Sequence, residues 1–149
     1  MNGEIIFRGF KPEDYTEIEE LWRATELLSF HDSRKIYEKN AEKYPNQFII
    51  AEINSQIVGT VYGFIPFFMG LLIPDTIGYI GHLAVHPDHQ GKGIGSLLLK
   101  EIYNRHKINN KKRVFLFVDP TNKRKKDLEK FYCDKHGFKK ILYLYHKKI

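Results

Sequence analysis

The chain has 149 residues, 42% of them hydrophobic and 28% charged, with 24 Lys and Arg against 18 Asp and Glu. Aromatic residues at 14% and a single cysteine rule out a disordered tail, a collagen-like or coiled-coil chain, and a secreted scaffold held by internal disulfides. What remains is one globular domain, residues 1–149, expected in a reducing cytoplasm.

No basic n-region or continuous apolar run precedes Glu4 and Arg8, so no signal peptide is expected. Glu4 to Phe10 reads as a first strand, after which Pro12 opens a helix whose apolar positions Ile18, Leu21, Trp22 and Leu28 recur at helical spacing. Acids from Glu13 to Glu26 form its outer face. A shorter helix fits Ser33 to Tyr44, with Ser33 as its cap and Pro45 closing it. Gln47 to Ile53 and Gln56 to Ile65 are β-rich runs joined by a tight turn at Asn54 and Ser55. The apolar stretch Pro66 to Pro74 follows, then Thr76 to Val85 as one strand. Ile57 to His89 lacks Lys and Arg, but its glycines and prolines break it into strands and a loop, so no membrane span is expected.

A polar loop from His86 leads to a helix with Ile94, Leu97, Leu98, Ile102 and Tyr103 on its apolar face. Arg113 to Val118 is a buried-type strand, Lys123 to Asp134 a basic helix ended by Gly137, and Phe138 to His146 a last strand. The order β α α β β β α β α β predicts an α/β fold with a sheet of mixed direction.

Charge is polarised along this order. Residues 1–88 hold 7 Lys and Arg against 13 acids and carry −6, whereas residues 89–149 hold 17 against 5 and carry +12. Such a field draws an anion to one side and a cation to the other. At the boundary, the strand ending in Leu83, Ala84 and Val85 runs into Gln90-Gly91-Lys92-Gly93-Ile94-Gly95-Ser96 directly before a helix. Glycines there leave backbone N–H groups bare, and the helix N-terminus adds partial positive charge, which suits a diphosphate. A Walker A loop is rejected, because His86 stands where its first glycine is needed, and a dinucleotide fingerprint would require glycine at Ser96.

The segment resembles the pyrophosphate loop of the GNAT superfamily of acetyl-CoA-dependent N-acetyltransferases, whose pattern of Gln or Arg, two residues, Gly, one residue, Gly or Ala is matched by Gln90, Gly93 and Gly95. Leu83 to Asp88, the opening Phe7-Arg8 with Glu13-Asp14, and Phe131-Tyr132 followed by Gly137-Phe138 are similar to that family in the same order along nearly the whole chain. The resemblance implies a mostly antiparallel central sheet flanked by helices, and acetyl transfer to an amine by direct attack in a ternary complex. It implies that Leu83, Ala84 and Val85 pair with the pantetheine arm and that the amides of Gly91, Lys92, Gly93, Ile94, Gly95 and Ser96 hold the CoA diphosphate. Lys92 or the Lys123 to Lys126 cluster would then neutralise phosphate.

The resemblance further implies an N–H of Leu83 or Val85 facing the oxyanion and Tyr132 as the proton donor to the departing thiolate. Tyr79 occupies a position where members carry Glu or Tyr, and with His82 it is a candidate to deprotonate the amine. Strand alternation puts Tyr79 and His82 on opposite faces unless a bulge intervenes. Two spacings depart from the family. Asn122, the asparagine that would assist the cofactor, precedes Tyr132 by ten residues in place of seven, and counting back from Gly137 puts Cys133 in the tyrosine's place. With 11 residues after Phe138 there is length for one strand where members add another, leaving a bare edge in a monomer or one covered by a second copy in a homodimer.

His82, His86 and His89 lack a carboxylate or cysteine cluster, and no metal is expected. The acceptor is expected to be a cationic amine meeting Glu17, Glu20 and Glu26 and the aromatic Phe64 to Leu72 segment. A non-catalytic acyl-CoA sensor stays open as an alternative. So does a basic nucleic-acid module on Lys111 to Arg113 and Lys123 to Lys126, although aromatic stacking residues among these basic clusters are sparse.

Overall fold

The computed structural model describes residues 3–27, 34–64, 73–141 and 144–148. Strand β1 (Ile6–Gly9) is followed by a 3-10 turn, Pro12–Asp14, and helix α1 (Tyr15–Ala24), which buries Tyr15, Ile18, Leu21 and Trp22 and turns its acids outward. Arg8 ties these pieces together: its guanidinium makes two bonds to the Asp14 carboxylate, at 2.7 and 2.9 Å, and its Nε donates to Glu52 at 2.7 Å. Helix α2 (Arg34–Lys43) contributes Tyr37 to the core. Leu28 and Ser33, expected on the first stripe and as the second cap, lie outside the described residues, as do residues 65–72 of the apolar stretch.

Strands β2 (Phe48–Ile53) and β3 (Gln56–Tyr62) form the expected hairpin. Asn54 and Ser55 both take positive φ, 50° and 63°, as a two-residue turn matched to strand twist requires. The next strand departs from expectation. Thr76 to Val85 is not one strand but two, β4 (Ile77–Tyr79) and β5 (Gly81–Val85), which belong to different sheets. The first sheet runs β1-β2-β3-β5, all antiparallel.

After a 3-10 turn at Pro87–His89 come helix α3 (Ile94–Ile108) and strand β6 (Arg113–Phe117). The basic helix is shorter than expected, α4 (Lys125–Glu129), and continues as a π-turn over Lys130–Lys135. The single closing strand is also corrected. Phe138 to His146 divides into β7 (Lys139–Ile141) and β8 (Leu144–Lys148), paired antiparallel with Ile141 opposite Leu144. The second sheet is β4-β6-β8-β7, with β4 parallel to β6 and the other pairs antiparallel. Its outer edge is therefore β7, three residues long with two adjacent lysines, a form that discourages further pairing.

Helix α3 covers one face, where Ile94, Leu98, Leu99 and Ile102 pack on Ile49, Val58, Val61 and Val114. Helices α1 and α2 cover the opposite face of the first sheet through Ile18, Trp22 and Tyr37 against Phe48, Ile50 and Tyr62. Among the described residues no helix is long and apolar enough to cross a membrane.

His106, on the last turns of α3, is fully buried, and its Nε2–H donates to the Tyr79 carbonyl at 2.7 Å. Burial pushes this imidazole down to about 4, against the smaller raising effect of the Tyr79 bond. The native state thus keeps His106 neutral while the unfolded chain takes up a proton below about pH 6.5. Stability falls as pH drops from about 6.5 toward about 4. Urea unfolding at pH 7.5 and 4.5 should show a loss about 2.5 kcal/mol larger in the wild type than in His106→Gln, which keeps a donor but does not titrate.

Candidate active site at the divergence of two sheets

The change of sheet at Ile80 is held by three hydrogen bonds. The Ile80 N–H donates to the Phe115 carbonyl at 2.9 Å, in the second sheet. The His82 carbonyl accepts from Thr60 Oγ1 at 3.0 Å, in the first, and Thr60 Oγ1 in turn accepts from Trp22 Nε1 at 2.9 Å. His82 itself takes φ 40°, a left-handed conformation rare for a residue with a side chain. Between them Gly81 lies under the Tyr62 ring, where a Cβ would overlap the aromatic carbons.

Divergence leaves the outer edge of β5 without a strand neighbour among the described residues. The His86 N–H donates to the Val58 carbonyl, and Ala84 stands opposite Thr60. Inward backbone groups alternate along an antiparallel strand, so Leu83 and Val85 turn theirs away from β3. The Val85 carbonyl is taken by Gln90 Nε2 at 2.9 Å, which pins the start of the glycine loop to the end of the strand.

Beside this edge lies a cavity of about 260 Å³ that runs to the N-terminus of α3. Leu83, Ala84, Val85, Gln90, Gly91, Gly93, Ile94, Gly95, Ser96, Asn122 and Tyr132 all line it. Gly91 and Gly93 have φ 76° and 85°, and a Cβ on either would point into open space. Gly95 is needed for a different reason, since its Cβ would press within 3.3 Å of the Phe131 ring. Among the described residues the N–H groups of Gly91, Lys92, Gly93, Ile94 and Gly95 reach no backbone or side-chain acceptor, whereas that of Ser96 turns back to the Gly93 carbonyl at 3.0 Å. These bare amides, an open space above two glycines and the helix N-terminus fit an anionic diphosphate. Lys92 lies off the cavity lining, with its Nζ on the Asp88 carbonyl at 2.9 Å. Among the described residues, Arg124 and Lys135 are the cations on the cavity lining, and the Asp127 carboxylate lines it as well.

A second cavity, about 560 Å³, continues past Leu83, Leu128 and Tyr132 into the opening between the sheets. Tyr79 and His82 both line it, despite the alternation that would separate them, because the change of sheet turns both rings against Tyr62, at 6.0 and 5.0 Å between centroids. His82 Nδ1 is 2.8 Å from the Tyr62 hydroxyl, and the ring packs 4.5 Å from Trp22 and 5.7 Å from Tyr37. Phe117, half exposed, adds an aromatic wall, and Glu26 and Asp119 add carboxylates. Of the helix acids, Glu17 is committed to the Ile57 N–H at 2.7 Å, and Glu20 lines neither cavity, so Glu26 alone among the three reaches this opening.

Tyr132 lines both cavities, and burial, followed by Tyr103 and Tyr79, raises its phenol above the usual range. The π-turn absorbs one residue more than an α-helical turn, and this accounts for the long spacing from Tyr132 to Gly137. Cys133 consequently packs against the core and lines neither cavity; burial, then Asp134 and Glu129, push its thiol up, away from nucleophilic use. His86 and His89 meet edge-on with ring centroids 6.0 Å apart on the loop, away from the second cavity, and among the described residues no group of three His, Cys, Asp or Glu gathers as a metal site.

Residues 15–138 match the model of the acetyltransferase (GNAT) family. An acetyltransferase of Pectobacterium atrosepticum is 29% identical over 122 residues, 77% of either chain. Among solved structures, a GNAT-family acetyltransferase from Staphylococcus aureus Mu50 superposes with a TM-score of 0.76 at 17% identity, covering 97% of this chain and 99% of that one. The diaminobutyrate acetyltransferase of Paenibacillus lautus, solved with L-2,4-diaminobutyric acid and coenzyme A, gives 0.71 at 22% identity over 92% and 79% of the two chains.

Gly81→Ala should lower the unfolding free energy by about 1–3 kcal/mol, because the Tyr62 ring above it must move. Urea denaturation of the two proteins at pH 7.5 checks this.

Proposed function

Because this chain belongs to the acetyltransferase (GNAT) family, we propose that it moves the acetyl group of acetyl-CoA to a primary amine by direct attack, with the cosubstrate along β5 and its diphosphate at the N-terminus of α3. The observation that carries this reading is the continuity of the open Leu83–Val85 edge with the bare amides from Gly91 to Gly95, flanked by Arg124 and Lys135. Acetyl-CoA supplies an acyl carbon activated as a thioester. Asn122 lines both cavities and closes its own turn by accepting the Arg124 N–H on Oδ1 at 2.8 Å, which aims Arg124 along the first cavity wall. The single Cys133 stays reduced in a cytoplasmic setting, and the chain works as a monomer or homodimer.

The amine enters through the second cavity. Tyr79 and Phe117 supply its apolar wall, and the two carboxylates of Glu26 and Asp119, set against the single Lys123, favour an acceptor that carries a further positive charge. The attacking nitrogen must first lose a proton, and His82 is the imidazole that lines this opening, with Tyr79 placed to position the amine. As the C–N bond forms and the C–S bond breaks, the outward N–H groups of Leu83 and Val85 are the donors available to the carbonyl oxygen. Tyr132 stays protonated. Since its phenol lies above about 10 and a thiol near about 8.5, full proton transfer to the thiolate runs uphill. Tyr132 therefore stabilises the departing sulfur by a hydrogen bond.

Thiol release from acetyl-CoA should be measured across monoamines, diamines and peptide amines. Turnover is expected with primary amines, fastest for those with a second cationic group. Glu26→Gln should raise KM for the dicationic amines by about fivefold and leave the monoamines unchanged. Tyr132→Phe should lower kcat by about 100-fold while acetyl-CoA still binds. Binding of acetyl-CoA without turnover on any amine would instead identify an acyl-CoA-binding protein that transfers nothing.

A further inference from the structure

Ser96 and His136 come from elements far apart in sequence and meet at the edge of the first cavity, with Ser96 Oγ 3.0 Å from His136 Nε2. Ser96 is the third residue of α3 and lines the cavity, whereas its own N–H is already bonded to the Gly93 carbonyl. Its hydroxyl is thus the group it can offer to a ligand. His136 closes the π-turn, and its ring packs edge-on to Phe131 at 4.7 Å, the same ring that presses on Gly95. The imidazole, the serine and the glycine loop form one packed unit.

We infer that His136 is a positioning residue for the cosubstrate diphosphate, setting the direction of the Ser96 hydroxyl so that affinity is coupled to the charge on the imidazole. The inference rests on the first cavity being the CoA site. A neutral ring can accept the Ser96 O–H at Nε2, which holds the hydroxyl hydrogen toward His136. A protonated ring has no acceptor left, so its Nε2–H donates to Oγ and the hydroxyl hydrogen turns to a phosphate oxygen.

The charged groups acting on His136 are Lys135 on its own turn and Lys147 on β8; after burial, both lower its proton affinity. The ring is accordingly neutral at pH 7 in the free protein. An anion bound beside Lys135 offsets that repulsion and strengthens proton binding, so binding takes up a proton, and by linkage acid tightens binding.

The test is calorimetric titration with dephospho-CoA from pH 8 to 5.5. This ligand keeps the diphosphate but lacks the phosphomonoester, whose own ionisation near about pH 6 would confuse the profile. Wild type should bind about fivefold more tightly at pH 5.5 than at pH 8, with proton uptake seen as a dependence of the heat on buffer ionisation enthalpy. His136→Gln and Ser96→Ala should each bind with a clearly shallower profile than the wild type, thermal melts confirming that both are folded. In the wild type the NMR titration of the His136 ring should move to higher pH when dephospho-CoA is added, and in Ser96→Ala it should move less. A flat wild-type profile, or an unchanged slope in either variant, overturns the inference while leaving the CoA site in place. Failure of the wild type to bind dephospho-CoA and acetyl-CoA at any pH overturns the site and the inference together.

Discussion

One stretch of chain, Gly78 to His82, serves two sheets that separate as they leave it, and the hydrogen bonds at that point cannot be satisfied by a continuous strand. Ile80 gives its N–H to Phe115 in one sheet, and His82 gives its carbonyl to Thr60 in the other. His106 locks the Tyr79 carbonyl from beneath, and the Trp22 indole locks Thr60 from above. Breaking any of these would leave a buried polar group unpaired, at a cost of about 1–3 kcal/mol. The strained φ of His82 persists because neighbours on both faces dictate it. From this divergence follow the open edge of β5, the cavity between the sheets and the common orientation of Tyr79 and His82.

Helix α3 connects the two halves of the site. Its N-terminus presents bare amides beside Gly91 and Gly93, its middle packs on the first sheet through Leu98 and Ile102, and His106 near its end holds β4. The glycine loop beside the first cavity and the strand that lines the second are therefore tied to one helix. The polarised charge of the chain reaches the site through few residues. Arg124 and Lys135, with the Asp127 carboxylate, line the first cavity, and Glu26 and Asp119, with Lys123, line the second. Most of the lysines that produce the +12 of the second part line neither cavity.

The glycine loop at the start of α3 was legible in the sequence because its determinants are local. Glycines, a helix start and the strand before it lie within about a dozen consecutive residues, and local chemistry decides their conformation. The divergence was not legible. Thr76 to Val85 alternates like a strand, and only Phe115, Thr60 and His106, all distant in sequence, decide where it changes partners. The division of the closing segment was missed because Phe138 to His146 contains no glycine or proline to mark a break. The π-turn left a trace, the extra residue between Tyr132 and Gly137, whose meaning depends on the backbone that absorbs it. The contacts of Tyr62, Phe117 and His136 had no sequence signal, since each joins elements brought together only by the fold.

Amide hydrogen exchange, resolved residue by residue with and without acetyl-CoA, tests the central claim that the divergence of the sheets creates the cosubstrate site. The account predicts new protection at Leu83, Val85 and Gly91 to Gly95, with Ala84 unchanged because its N–H already faces β3. Protection confined to other segments, such as the basic stretch from Lys123 to Lys126, with Leu83 and Val85 unaffected, would contradict it.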